Sequence, residues 1–191
     1  MDDQRNIIIP ETAEKIKVMA NEKGFTMSCD NLTGNLLRML VSAKSKARIL
    51  ELGTGAGYST TWILEGMDDQ SVLTTVEFDE QFASIAKESI QDPRVDFHVC
   101  DGGVFIEENR DKKFDIIFAD TWPGKFYLLE EVLDMVQPNG IYIIDDLNQQ
   151  PNWPDGHEAK VEALIEQLEQ RKDFHLLKLD WSTGIIIMTK K

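Results

Sequence analysis

A chain of 191 residues, 42% of them hydrophobic, suits one domain with a full core and is too apolar to stay disordered. Its formal net charge of −14 repels phosphate backbones and anionic lipid, which disfavours nucleic acid and membrane surfaces as partners. No apolar run nears the roughly 20 residues of a membrane span, and two distant cysteines, Cys29 and Cys100, suit a reducing cytoplasm better than a disulfide or thiolate-zinc scaffold.

The first five residues open with acids and do not read as a secretory leader. A helix is expected from Pro10 to about Lys23, stopped by Gly24 and followed by an irregular segment, Phe25 to Asn31. A second helix places Leu36, Leu37, Leu40 and Val41 on one face. Residues 1–46 therefore form an N-terminal helical segment, and 47–191 the sheet core of the same domain. Lys44, Lys46 and Arg48 read as a solvated helix end rather than a nucleic-acid patch. Strand-like runs follow at Arg48–Leu52, Val72–Glu77, Val95–Val99, Phe114–Ala119 and Gly140–Ile144. Helix-like stretches lie between them, near Ser59–Glu65, Asp79–Ile90, Val104–Asn109 and Phe126–Val136, with Asp79 as an N-cap and Pro138-Asn139-Gly140 as a break before the fifth strand. Apolar strands alternating with helices predict an α/β, doubly wound, mostly parallel sheet with helices on both faces. Gly156 to Arg171 reads as an amphipathic helix with Val161, Leu164, Ile165 and Leu168 inward. Two last strands, Phe174–Leu179 and Ile185–Thr189, are joined by Asp180 to Gly184 alone, too short a link for a parallel crossover, so they are expected to be antiparallel. Trp181, in that turn, is assigned to the core or to a subunit surface.

The strongest chemical signal is Glu51-Leu52-Gly53-Thr54-Gly55-Ala56-Gly57-Tyr58-Ser59, where a buried strand gives way to a helix. Glycines there let a ligand approach the main chain, and the following helix start presents N–H groups to an anion. The spacing is G-x-G-x-G, not the G-x-G-x-x-G of dinucleotide sites, and Glu51 before it suits a cationic group such as an amino acid's ammonium. Glu77, at the second strand tip, suits the two hydroxyls of a ribose. Asp101, followed by Gly102 at the third tip, suits an adenine amino group. With strands ordered 3-2-1, a nucleoside would lie across these tips.

On these residues the chain resembles the class I S-adenosylmethionine-dependent methyltransferases, and most of all the catechol and caffeoyl-coenzyme A O-methyltransferase branch. The matching stretches run from Met27-Ser28 and Gly34, through the glycine loop, Val76-Glu77 and Asp115 to Asp120, to Pro138-Asn139-Gly140 and Ile143 to Asp146. The resemblance implies a seven-stranded sheet ordered 3-2-1-4-5-7-6 with strand 7 antiparallel, S-adenosyl-L-methionine as methyl donor, and a small-molecule acceptor. It also implies that Ser59 meets the donor's carboxylate, Glu77 its ribose and Asp101 its adenine, with Met27 lining the pocket, and that the chain pairs as a homodimer.

On the acceptor side, Asp120 ends the fourth strand and Asp145-Asp146 the fifth. Three converging carboxylates repel unless a cation joins them, and their hard oxygens suit Mg²⁺, Mn²⁺ or Ca²⁺. The resembling enzymes hold such an ion there, where it binds the acceptor hydroxyls, although they usually carry Asp-Asn at the second tip. The alternative is that Asp120 contacts the donor while Asp145 or Asp146 caps the next loop. The resembling enzymes carry a catalytic lysine shortly after the first metal aspartate; here Trp122 stands in that stretch and Lys125 lies five residues on. The Pro123-Gly124 turn either swings Lys125 inward, as a base or an electrostatic anchor, or leaves it solvated at the next helix start. The loop from Asn148 to His157, with Pro151, Trp153 and Pro154, is expected to wall the acceptor pocket opposite Trp122, or else to pack on the last helix. His157, at a helix start, is expected either to act as an acid or base or, as the preferred reading, to be an exposed first-turn residue. Three further readings stay open: a metal-independent methyltransferase acting on nitrogen or a tRNA base, a nicotinamide oxidoreductase, and a non-catalytic nucleoside-binding module.

Overall fold

The computed structural model describes residues 2–150 and 153–191. Its strands are β1 (Arg48–Leu52), β2 (Val72–Glu77), β3 (Val95–Val99), β4 (Phe114–Ala119), β5 (Val136–Ile144), β6 (Phe174–Leu179) and β7 (Ile185–Lys190). They form one sheet in the order β3-β2-β1-β4-β5-β7-β6, with β7 antiparallel to both neighbours and the other pairs parallel. This is the expected doubly wound order, and the short link before β7 is the reason it alone reverses.

Alternation along the strands supplies two cores. Ile49, Leu73, Ile116, Phe118 and Ile143 face one side, against helices α1 (Glu11–Glu22), α2 (Asn31–Ser42), α3 (Tyr58–Gly66) and α4 (Glu80–Ser89). Leu50, Leu52, Ile117, Tyr142 and Ile144 face the other, against α5 (Gly102–Glu108), α6 (Leu129–Met135) and α7 (His157–Glu169). The N-terminal helices are thus part of the first core. Aspartates start three of the helices: Asp30, Asp79 and Asp101 each accept backbone N–H bonds at an N-cap. Among the described residues, no helix is long and apolar enough to cross a membrane.

Two elements differ from the sequence reading. The fifth strand starts at Val136 rather than Gly140, because Pro138-Asn139-Gly140 forms a bulge inside it instead of a break before it. Phe114 pairs with Val136 and Ile116 with Ile141, so the extra residues loop out, with Asn139 at φ 60°. The sixth helix starts at Leu129 rather than Phe126, since residues 122–128 fold into turns closed by Phe126 N–H to Trp122 O (2.8 Å) and Gly124 N–H to Tyr127 O (2.7 Å).

Candidate functional site

The glycine loop leaves β1 and turns back under the tip of β4. Gly53 has φ +102°, and a Cβ there would stand 2.6 Å from the carbonyl oxygen of Asp120, so no larger residue fits. The loop is braced from β2: Glu77 Oε2 accepts from Gly55 N–H at 2.7 Å, and Oε1 from Asp79 N–H at 2.9 Å. Phe25, from the irregular segment, lies over Gly55 and stacks on Phe82 at 4.6 Å. Sequence reading missed Phe25, because nothing local to it signals the contact.

Glu51 and Ser59 lie beneath this loop, not on it. Glu51 is 0% exposed, and its carboxylate accepts from the hydroxyls of Ser59, Thr60 and Thr75, each at 2.6 Å. Burial pushes its carboxyl up to about 7, against the opposing pull of the three hydroxyls. The two side chains that the sequence reading set toward a ligand's ammonium and carboxylate face each other in this structure. A strand carboxylate and a first-turn hydroxyl, both desolvated, are cheapest as partners.

Above the loop is a cavity of about 290 Å³ whose walls include Gly53, Glu77, Phe78, Asp101, Gly102 and Tyr127. That volume is near the lower end for small-molecule sites. Glu77, Asp101 and Gly102 are brought together there as predicted, across the tips of β2 and β3. Asp101 has a second duty: its Oδ1 caps α5 through Gly103 N–H (2.8 Å) and Val104 N–H (3.0 Å). Phe78 and Tyr127, 74% and 45% exposed, add flat aromatic walls that the sequence reading did not pick out. Met27 is 68% exposed and is not among the lining residues.

Beside the cavity, Asp120, Asp145 and Asp146 place one carboxylate oxygen each within 4.8 Å of one another. Asp145 is 1% exposed, and its Oδ1 is buried without a hydrogen-bond partner among the described residues. Burial first, then mutual repulsion among the carboxylates, raises the Asp120 and Asp145 carboxyls above the usual range, while Lys125 pulls them down. Hard oxygen donors, crowded and with one orphaned atom, fit a divalent cation. Lys125 is swung inward: it is 5% exposed and donates from Nζ to the Asp145 carbonyl at 2.5 Å. Its position in the 122–128 turns, ahead of α6, makes that reach possible.

An aromatic cluster adjoins the acids. The His157 ring lies 4.7 Å from Trp153, 5.1 Å from Phe126 and 6.0 Å from Trp122, centroid to centroid. Lys160 Nζ sits 4.2 Å over the Trp122 ring. Trp122 and Trp153 both pack on His157, the first residue of α7, and His157 is not the exposed residue the sequence suggested. It is 8% exposed, because the three rings close over it. Pro151, from the same loop, lies outside the described residues. Trp181 packs against the first core and donates to Asp3 Oδ2 at 2.8 Å.

Comparison with known proteins gives this geometry a family. The profile described as O-methyltransferase matches residues 8–187. A curated relative from Mycobacterium avium is 28% identical over 142 residues, covering 70% of this chain and 64% of that protein. The chain thus spans about 64% of the length of that relative. Among solved structures, the O-methyltransferase from Bacillus cereus in complex with SAH superposes with a TM-score of 0.86 at 21% identity, covering 99% of this chain and 94% of that one. The O-methyltransferase TomG from Streptomyces achromogenes, involved in tomaymycin synthesis and solved with SAM, gives 0.83 at 23%, covering 99% and 93%. At such identities these two superpositions establish a common fold.

Proposed function

Because the chain belongs to the O-methyltransferase family, we propose that it transfers a methyl group from S-adenosyl-L-methionine to a hydroxyl of a small, flat acceptor. One observation carries this reading: a nucleoside-sized cavity at the tips of β1 to β3 abuts a cluster of hard oxygens at the tips of β4 and β5. The Bacillus and Streptomyces proteins, crystallised with SAH and SAM, share the fold and support the choice of donor.

In this reading Glu77 accepts the ribose hydroxyls and Asp101 a hydrogen bond from the adenine amino group, while Gly53, which lines the cavity, lets the donor approach the main chain; Gly55 and Gly57 face Phe25 and Ala86 instead. Trp122 and Trp153 flank the acceptor. An acceptor oxygen attacks the methyl carbon in line, the carbon–sulfur pair returns to sulfur, the thioether product remains, and the hydroxyl proton is released. Holding oxygen, carbon and sulfur collinear offsets ~7–11 kcal/mol of the barrier. A divalent cation held by Asp120, Asp145 and Asp146 would supply Lewis-acid polarisation of the acceptor hydroxyl. Lys125 fixes the Asp145 backbone and offsets part of the negative charge at the β5 tip.

Calorimetric titration with adenosylhomocysteine, with and without Mg²⁺, tests the assignment on wild type, Glu77→Ala, Asp120→Ala and Asp145→Ala. Glu77→Ala is expected to weaken binding by ~1–3 kcal/mol, the scale of a lost buried hydrogen-bond partner. Unchanged affinity in that variant removes the ribose assignment. Turnover that survives chelation moves the protein to the metal-independent class.

A further inference from the structure

Two backbone donors fix the carboxylate of Glu77, and one aromatic ring packs on both of the segments that carry them. Gly55 N–H donates to Oε2 at 2.7 Å and Asp79 N–H to Oε1 at 2.9 Å. A carboxylate oxygen accepts about two hydrogen bonds, so each keeps a lone pair for a ribose hydroxyl. Half-buried Phe25 lies on the first of these donors: its Cζ stands 2.7 Å from the place of a Cβ on Gly55. The same ring stacks at 4.6 Å on Phe82, in the first turn of α4, the helix that Asp79 caps through Gln81 and Phe82 N–H. The Phe25 backbone is anchored in turn, its N–H donating to Ala20 O at 2.9 Å near the end of α1. Gly55, at φ +52°, has no side chain with which to hold that conformation, and glycine loses more freedom than other residues when it is fixed. Packing from Phe25 on one side and the hydrogen bond to Glu77 on the other keep it there.

Resting on the methyl-transfer reading and its ribose assignment, we propose that Phe25 is a positioning residue for the donor. It holds the glycine loop and the start of α4 so that Glu77 meets the ribose already oriented. Phe25 does not line the cavity and touches no reacting atom; it acts through Gly55, Asp79 and Glu77. Without the ring, Gly55 regains its conformational freedom and Glu77 loses one of the two donors that orient it. The carboxylate then has to be ordered when the donor arrives, and that ordering subtracts from affinity. The irregular segment ahead of α2 thereby takes a part in donor binding.

The test is calorimetric titration of the full chain with adenosylhomocysteine, in a double-variant cycle of Phe25→Ala and Glu77→Ala. Phe25→Ala is expected to lower affinity about five- to tenfold in the wild-type background, and by less than about twofold once Glu77 is replaced. Equal losses in the two backgrounds overturn the proposal, since Phe25 would then act independently of Glu77. Hydrogen exchange adds a reading that general destabilisation does not imitate. Phe25→Ala is expected to speed exchange at Gly55 N–H by more than at Leu50 and Ile117 N–H, which lie in the core strands β1 and β4 and report global unfolding. An equal rise at all three sites also overturns the proposal. Phe25→Tyr covers the case in which the alanine variant does not fold. It keeps the ring but adds an oxygen at Cζ, where Gly55 stands, and is expected to keep the melting temperature while losing affinity about fivefold. Wild-type affinity in Phe25→Tyr, or in folded Phe25→Ala, means that the ring orients nothing. Failure of the wild type to bind adenosylhomocysteine would instead sink the methyl-transfer reading, and this proposal with it.

Discussion

Glu51 shows how a single side chain changes meaning once its surroundings are known. In the sequence it is an acid two residues ahead of a glycine loop; in the fold it is a fully buried group shared by three hydroxyls. Its carboxyl stands at about 7, above the ordinary 4.5, so the folded state favours the protonated form. The sign follows by linkage: this contribution is fully present below pH 4.5 and is lost as pH rises through 7. The loss amounts to about 3 kcal/mol. Glu51→Gln, which cannot ionise, should therefore lose less stability than wild type between those limits, read from urea unfolding at stepped pH. Asp120 and Asp145 titrate in the same sense in both proteins and cancel from the comparison. Parallel pH profiles would mean that Glu51 ionises freely in the fold.

At the scale of elements, Asp101 serves a helix and a proposed ligand at once. One oxygen caps α5, while the other makes no hydrogen bond among the described residues. Asn caps as well as Asp does, whereas Ala costs about 1 kcal/mol. With its amide oxygen held by the cap, an Asn would turn its NH₂ toward the adenine amino group, donor against donor. Asp101→Asn is thus expected to keep the melting temperature and lose adenosylhomocysteine affinity, and Asp101→Ala to lose both. Scanning calorimetry and titration separate the two effects, and wild-type affinity in the Asn variant would remove the adenine assignment. The starts of α4 and β1 were legible because caps and apolar runs act locally. The bulge in β5 and the delayed start of α6 were not, since both depend on how residues 122–140 meet neighbouring strands and helices.

Across the whole molecule, the net charge of −14 repels itself, and three of those acids are crowded at the join of β4 and β5. NaCl should raise the melting temperature modestly in every variant by screening. Mg²⁺ or Ca²⁺ should add a further rise of roughly 5–10 °C at about 100 times Kd, in wild type but not in Asp120→Asn or Asp145→Asn. An equal response in all three proteins would mean the cluster binds no cation. The linear chain by itself determined the alternation of strand and helix, the reversed last strand, the glycine turn and the acids at the strand tips. Those features follow from residue period, link length and backbone freedom, all written within a few neighbouring positions. Only the tertiary structure decided that Glu51 and Ser59 are interior partners, that Lys125 reaches Asp145, and that His157 is sealed among Trp122, Phe126 and Trp153. Each of these depends on which distant segments meet and where water is excluded, and burial, unlike periodicity, belongs to the packed molecule rather than to any stretch of it.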